Sequence, residues 1–446
     1  MKNYFGTDGI RGVAGKFPLD IPTVYAIGVA LGGWLHDRRL SGPVVVGQDT
    51  RESGRWIAET LAGGLRSQER ESSFAGIITT PGIAFLSRRN GVKAGVMISA
   101  SHNHYLDNGI KIFGHDGYKL PDEVEGELEN RIQAELARVA QPQPESLEEN
   151  ASGREAYLEY LAGRLGGQKL AALHVVLDCA HGAASELAPA LFRRLGCKMT
   201  VLNAAPDGRN INAVCGSLHP EAMAAAAVAN GADCGLAFDG DADRVIFADH
   251  QGRIMDGDEV LLVLARALKL RRQLDPPLVI ATVMSNLALE LALRAENIDF
   301  QRTSVGDKYV LETMLQTGAQ LGGEPSGHII CLADATTGDG LLTGLRVLEV
   351  IAGGIPLAEL RSGYTAFPQQ IVNVRVREKL PMEQLPAVRR VIAEAEQFFQ
   401  GRGRVLVRYS GTEPLARVMV EASNDAEVRH HAASIAHAIR DAIGQS

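Results

Sequence analysis

Chemistry-bearing side chains crowd into five short stretches of this 446-residue chain. In the first, an apolar run, Val96-Met97-Ile98, stops at Ser99-Ala100-Ser101-His102-Asn103; the polar turn Asp107-Asn108-Gly109 and Lys111 follow. Hydroxyls, an imidazole, an amide and a lysine this close suit nucleophilic or phosphoryl chemistry better than packing. In the second, Asp239, Asp241 and Asp243 alternate with small residues after apolar Leu236-Ala237-Phe238, and Arg244 closes the run. Such a loop can fold three carboxylates around one hard cation. It is not an EF-hand: with Asp239 as position one, Arg244 stands where glycine is required and His250 where glutamate is required. Three carboxylates leave coordination positions for substrate oxygens or water, as magnesium prefers.

The other three stretches read as binding loops. Arg408-Tyr409-Ser410-Gly411-Thr412-Glu413-Pro414 ends a strand with a guanidinium, two hydroxyls and a glycine, a cradle for phosphate to which Arg417 adds charge. No Walker loop is present. Gly323-Glu324-Pro325-Ser326-Gly327-His328 offers a carboxylate, a hydroxyl and an imidazole, partners for sugar hydroxyls. Phe5-Gly6-Thr7-Asp8-Gly9-Ile10-Arg11-Gly12 is a glycine-spaced loop whose arginine can stabilise a transferring phosphoryl group; its spacing is not that of a dinucleotide fingerprint. Together the loops supply a hydroxyl nucleophile, a cation site, hydroxyl readers and a phosphate cradle. That combination points to phosphoryl transfer on a phosphorylated polyol.

The elements that must position these loops repeat. Residues 43–65, 174–196 and 278–298 each read as a β-branched strand, a polar turn and an amphipathic helix, with Ser53, Ser185 and Ser285 preceding or opening the helices. Each unit is followed by a further strand running into one of the loops: the one at Ser101, the one at Asp239 and the one at Glu324. Open α/β sheets bind ligands at the carboxyl ends of their strands. The last 80 residues differ, with strands over 371–376, 404–409 and 416–422 and helices over 382–399 and 425–443. Boundaries fall at the linker 141–150, the turn 249–252 and the stretch 361–368. The expected architecture is three related mixed α/β domains, 1–150, 151–252 and 253–366, with a smaller C-terminal α+β (β-α-β-β-α) domain, 367–446, around a central cleft.

Composition narrows the class. Apolar content of 46% and charged content of 22% are those of a globular chain. A net charge of −8 with no lysine/arginine block argues against a nucleic-acid partner. The start lacks the apolar core of a secretory signal, and the alanine-rich stretches are too short to span a bilayer. Five cysteines without a C-x-x-C pair read as free thiols in a reducing cytoplasm.

Four motifs, ISASHN, DGDADR, GEPSGH and RYSGTEP, stand in the order found in the α-D-phosphohexomutases, and the chain resembles that family over nearly its whole length. FGTDGIRG near the start and NINAVCGSLHPE at 211–222 resemble its bacterial glucosamine-phosphate branch. The resemblance implies four domains around a cleft and a mutase that interconverts glucosamine 6-phosphate and glucosamine 1-phosphate through a 1,6-bisphosphate. Such an enzyme feeds UDP-N-acetylglucosamine and cell-wall precursor synthesis. It implies one Mg2+ per subunit, a glucosamine or glucose 1,6-bisphosphate primer, and a homodimer. Ser101 matches the serine that carries the phosphoryl group, and Asp239, Asp241 and Asp243 match the magnesium ligands, with an oxygen on Ser101 completing the set. Glu324 and Ser326, with His328 in the same loop, match the sugar readers. Arg408, Ser410, Gly411 and Thr412, with Arg417 beyond, match the clamp on the non-reacting phosphate. Arg11, His102, Lys111 and Arg244 match residues around the transferred group, Lys111 as a candidate for proton transfer.

Four positions depart from the family pattern. His104 stands for a proline, Ala242 for a glycine of the metal loop, Pro325 for a glutamine and Lys308 for an arginine. Competing readings are a phosphoglucomutase or phosphomannomutase, a magnesium-dependent phosphatase and a non-catalytic sugar-phosphate-binding protein.

Overall fold

The computed structural model describes residues 4–6, 8–138, 141–167, 170–410 and 413–445. The chain divides into two compact units, Met1–Met284 with Phe300–Ser362, and Ser285–Asp299 with Gly363–Ser446. The larger unit carries three sheets and the smaller carries one.

The first sheet has six strands: β1 (Phe5–Gly6), β2 (Gly9–Val13), β3 (Val44–Gln48), β4 (Ser72–Ile77), β5 (Ala94–Ile98) and β6 (Asp107–Gly114), in the order β1-β2-β6-β5-β3-β4. The second has β7 (His174–Asp178), β8 (Lys198–Leu202), β9 (Cys234–Phe238), β10 (Val245–Asp249) and β11 (Ile254–Met255), in the order β11-β10-β9-β7-β8. The third has β12 (Leu278–Thr282), β13 (Asp299–Thr303), β14 (Leu321–Gly323) and β15 (Ile329–Cys331), in the order β13-β12-β14-β15.

One topology runs through all three. The opening strand (β3, β7, β12) pairs in parallel with a later strand (β5, β9, β14), which turns back into an antiparallel neighbour (β6, β10, β15). The Ser101, Asp239 and Glu324 loops are those three returns. Their equivalent placement follows from the repeat. Val44, Val46, Val96 and Ile98 are fully buried, the continuous apolar pattern of strands covered on both faces. Asp20 caps the helix Ile21–Asp37 by accepting from Thr23 N–H, and Asp256 caps Gly257–Leu270 through Asp258 and Glu259 N–H. The helices Ile21–Asp37 and Gly54–Arg66 cross at glycine: a Cβ on Gly28 would lie 2.1 Å from the Leu61 carbonyl oxygen.

The smaller unit has β16 (Gln369–Arg375), β17 (Gly403–Tyr409) and β18 (Leu415–Ala422) in the order β16-β18-β17, all antiparallel. Helices Pro386–Phe399 and Asp425–Ile443 bury Val388, Phe399, Ile435 and Ile439 against Val374, Val418 and Val420. The helix expected from residue 382 starts instead at Pro386, after a 3-10 turn over Met382–Gln384. Proline fits the first helical turn, where its missing N–H costs nothing, but not the interior. At the helix Leu287–Ala295 the capping side chain is Asn286, one residue after the expected serine.

No helix among the described residues is long and apolar enough to cross a membrane. All five cysteines are free and buried; burial, with Asp178 and Asp334 as lesser causes, pushes the Cys215 and Cys331 thiols up to about 12.

Candidate active site

Ser101 follows β5 with its backbone in the left-handed region, φ 53°, and is fully buried. A non-glycine residue there costs roughly 1–2 kcal/mol, so its surroundings must impose it. They do. Ser101 N–H donates to Ser99 Oγ at 2.9 Å, and its carbonyl accepts from Arg51 Nη2 and Asn212 Nδ2, both at 2.9 Å. The hydroxyl donates to Asp239 Oδ2 at 2.5 Å and lies 3.3 Å from His102 Nδ1.

The β9–β10 return gathers Asp239, Asp241 and Asp243, all buried, each offering an oxygen within 4.8 Å of the others. Asp241 Oδ2 accepts from Thr80 Oγ1 and, at 2.9 Å, from Lys111 Nζ; Asp243 Oδ2 lies 3.3 Å from the same ammonium. Asp241 Oδ1 and Asp243 Oδ1 are buried without a hydrogen-bond partner among the described residues. Stranded carboxylate oxygens this deep are costly unless a cation takes them. Burial, then Asp243 and Asp241, pushes the Asp239 carboxyl well above its ordinary range. Burial alone would also raise Asp243, but Lys111 and Arg244 outweigh it and hold the group at about 2. The donor set therefore suits a hard divalent cation beside Ser101 Oγ.

Ala242 adopts the left-handed backbone, φ 55°, that glycine takes more readily. Its carbonyl accepts from Gly340 N–H at 3.0 Å, which ties the loop to the start of the helix Gly340–Ile351.

Among the described residues, four cations line the site. Lys111 is 1% exposed, with Asp241, Asp8 and Asp243 at 2.9, 3.0 and 3.3 Å. Burial would lower its pKa, but the three carboxylates outweigh burial and hold it well above the ordinary lysine value, as a fixed ammonium. Arg11 pairs with Asp8 and reaches the Ala100 carbonyl at 3.3 Å and Asn103 Oδ1 at 3.4 Å. Arg244 Nη1 lies 2.7 Å from His102 Nδ1. Burial, then Arg244 and Arg11, lowers His102 to about 4, so near neutral pH its imidazole is uncharged and accepts from Arg244 through Nδ1. Lys119 bridges Asp8 and, at 2.5 Å, Asp307.

The β14–β15 return holds Glu324, Ser326 and His328. Glu324 Oε1 accepts from Gly306 N–H at 3.0 Å, and Ser326 Oγ donates to Glu324 Oε2 at 3.4 Å. His328 is 2% exposed; neither ring nitrogen has a hydrogen-bond partner among the described residues, and Asp307 Oδ2 stands 3.6 Å from Nε2. The loop is fastened to the metal loop's exit strand through Val245 N–H to the Gly327 carbonyl, 3.1 Å.

In the smaller unit, Arg408 and Arg417 face each other across the β17–β18 hairpin. Burial, then the Arg417 charge, lowers the Arg408 pKa, so the pair is primed for an anion. Ser410 closes β17, its N–H donating to the Leu415 carbonyl at 2.8 Å. Gly411 and Thr412 lie outside the described residues.

The structure thus assembles Ser101, His102, Arg11, Lys111, Arg244 and the three aspartates around one point of the larger unit. Sequence reasoning missed Asp8, Thr80, Lys119, Asp307, Arg51 and Asn212. Asp8 sat inside a quoted motif, and Arg51 in the polar turn after β3; both were visible as polar residues at strand ends, but not their partners. Of the departures, His104 acts through its carbonyl, which accepts from Arg51 Nη1 at 2.6 Å, a role any residue fills. Lys308 pairs with Asp122 at 2.6 Å.

The phosphoglucomutase/phosphomannomutase family matches in four segments: α/β/α domain I over residues 2–138, domain II over 155–252, domain III over 256–367 and the C-terminal domain over 371–438. The phosphoglucosamine mutase of Solibacter usitatus is 52% identical over 445 residues, covering 100% of both chains. That of Koribacter versatilis is 51% identical over 453 residues, covering 100% of this chain and 98% of its own. The chain belongs to the phosphoglucosamine mutase family. Among solved structures, a phosphoglucomutase/phosphomannomutase family protein from Burkholderia thailandensis superposes with a TM-score of 0.79 at 26% identity, covering 98% of this chain and 97% of its own. An Aspergillus fumigatus N-acetylphosphoglucosamine mutase, in complex with GlcNAc-6P and magnesium, shares the fold with a TM-score of 0.67 at 20% identity, covering 99% and 96%.

Proposed function

We propose that the chain interconverts glucosamine 6-phosphate and glucosamine 1-phosphate, with Ser101 as the phosphoryl carrier. The observation that carries this reading is the Ser101 hydroxyl, 2.5 Å from Asp239 in a buried three-carboxylate site and ringed by Arg11, Lys111 and Arg244. The identity to phosphoglucosamine mutases supports the substrate class. Phosphoserine 101 donates to the free O1 hydroxyl: the Oγ–P bond breaks, a P–O1 bond forms, and the hydroxyl proton leaves. Turned over in place, the resulting 1,6-bisphosphate returns its 6-phosphoryl to Ser101: the P–O6 bond breaks, the Oγ–P bond re-forms and O6 takes the proton back, leaving the 1-phosphate.

Asp239, Asp241, Asp243 and an oxygen on Ser101 would hold Mg2+, as the two stranded carboxylate oxygens invite. Bound there, the ion neutralises charge on the transferring phosphoryl. The remaining work belongs to the chain. Lys111 and Arg244 set fixed positive charge beside the carboxylates, and Arg11 does so at the serine loop. Lys111, held as an ammonium, acts as a cation and donor. His328, buried with both ring nitrogens unpartnered among the described residues, is the imidazole free to take the hydroxyl proton. Glu324 and Ser326 orient sugar hydroxyls, while Arg408, Ser410 and Arg417, with Gly411 and Thr412, hold the phosphate that is not reacting.

We take 1–150, 151–252, 253–366 and 367–446 as the domains, supported by the four sheets and the four family segments. A cytoplasmic setting fits the five free, buried thiols. Priming by a hexose 1,6-bisphosphate and a homodimer complete the reading.

The test is a panel of glucosamine, glucose and mannose phosphates with intact-mass detection of phosphate on Ser101. Fastest turnover of the glucosamine phosphates, and loss of both turnover and the phosphate mass in Ser101→Ala, are expected. Equal or greater turnover of glucose 1-phosphate, or wild-type turnover by Ser101→Ala, refutes the assignment.

A further inference from the structure

The 203–216 loop of the second domain reaches the serine loop of the first. Asn212 lies on it in the left-handed region, φ 58°, with its N–H on the Ala180 carbonyl at 2.9 Å. Its Nδ2 donates to the carbonyls of Ser101 at 2.9 Å and Asn103 at 3.2 Å. From the other side, Arg51 Nη2 donates to the same two carbonyls, both at 2.9 Å, and Nη1 to the His104 carbonyl. Arg51 is 1% exposed and is immobilised by Asp49, whose Oδ2 takes Arg51 Nε at 2.9 Å and Ser99 Oγ at 2.6 Å. Ser99 Oγ in turn accepts from Ser101 N–H. Both ends of the strained Ser101 residue are thus pinned through one connected set. The approach is close: a Cβ on Gly240 of the metal loop would lie 2.5 Å from the Ser101 carbonyl oxygen and 2.8 Å from Asn212 Nδ2.

We propose that Arg51 and Asn212 are positioning residues, a clamp from two domains on the Ser101 and Asn103 carbonyls that aims Ser101 Oγ. Neither touches the reacting atoms. The aim of the nucleophile then depends on a second-domain loop that carries none of the phosphate, metal or sugar contacts. Reactive groups misplaced by about 1 Å lose rate on the order of a hundredfold, which is the scale a loosened clamp reaches. The inference rests on Ser101 as the phosphoryl carrier; intact mass of the parent enzyme decides that separately.

Asn212→Asp keeps size and left-handed tolerance but replaces the donor with an acceptor; Asn212→Gly keeps the backbone and removes the side chain. Arg209→Gln is the control: Arg209 is exposed on the same loop and pairs with Glu52, and the Ser101 and Asn103 carbonyls accept from Arg51 and Asn212 instead. The full-length enzyme, with Mg2+ and primed with glucose 1,6-bisphosphate, is assayed for kcat, KM for glucosamine 6-phosphate, phosphate mass and thermal midpoint. Both Asn212 variants are expected to lose kcat by about 10- to 100-fold with KM nearly unchanged, and Arg209→Gln to match the parent. The clamp is overturned if kcat per folded molecule stays within about threefold of the parent, or if Arg209→Gln loses as much as the Asn212 variants.

Discussion

Replacing Lys111 by methionine removes the cation at the centre of a buried carboxylate cluster. The ammonium stands 2.9, 3.0 and 3.3 Å from Asp241, Asp8 and Asp243 and is 1% exposed. Asp8 keeps Arg11 and Lys119, and Asp243 keeps Arg244 at 3.7 Å. Among the described residues, Asp241 retains the Thr80 contacts alone. Breaking a buried pair by removing one partner costs roughly 3–5 kcal/mol. In a cooperative unit of a few hundred residues, that lowers the thermal midpoint by about 4–7 °C. The loss depends on pH in a definite direction. A carboxylate left without its cation has a folded pKa above its unfolded value near 3.9, so the native variant binds more protons over that interval. The penalty is absent below the unfolded pKa and complete above the raised folded one. It is therefore larger at pH 8 than at pH 4. Mg2+ supplies the missing charge, so it raises the midpoint of Lys111→Met more than that of the parent. The assay is a thermal scan of both proteins at pH 8, in EDTA and with Mg2+. An EDTA midpoint within about 2 °C of the parent would falsify the view that Lys111 holds the carboxylates together.

Two further outcomes test other parts of the molecule. Arg408→Ala removes a guanidinium that burial and Arg417 already disfavour as a bare charge. Losing one charged hydrogen bond to phosphate is worth about 1.5–3 kcal/mol, so kcat/KM for glucosamine 6-phosphate should fall roughly 10- to 100-fold, and a change under twofold argues against the clamp. Asp339 caps the helix Gly340–Ile351 and accepts from Tyr157 Oη at 2.7 Å; burial pushes it up to about 6. The native state therefore holds this proton more tightly than the unfolded chain, and stability from this group declines as pH rises from about 4 to 6. Asp339→Asn lacks that slope. Against the parent it should gain about 2 kcal/mol between pH 4.5 and pH 7 in urea unfolding, and parallel pH curves would rule the effect out.

Much was legible in the residues alone. The apolar runs Val44–Val46 and Val96–Ile98 predict buried strands because a strand covered on both faces has no polar alternation to show. The threefold repeat of strand, turn and helix implies three equivalent returns, and the carboxylate spacing of 239–243 implies a cation, since local chain geometry brings alternate side chains of one loop together. The tertiary structure alone decided what meets across distance. Lys111 lies 130 residues from Asp241 in sequence and 2.9 Å away in space. Arg51, an unremarked polar turn residue, proves to be fully enclosed, with the serine loop's carbonyls as its acceptors. Lys111, a candidate for proton transfer by residue type, is held above the ordinary lysine value by three carboxylates that lie far from it in sequence. Residue type dictates which charges a chain owns. Which of them neutralise one another, and so which pKa values and backbone strains survive, is set by burial and long-range packing, and no local pattern encodes it.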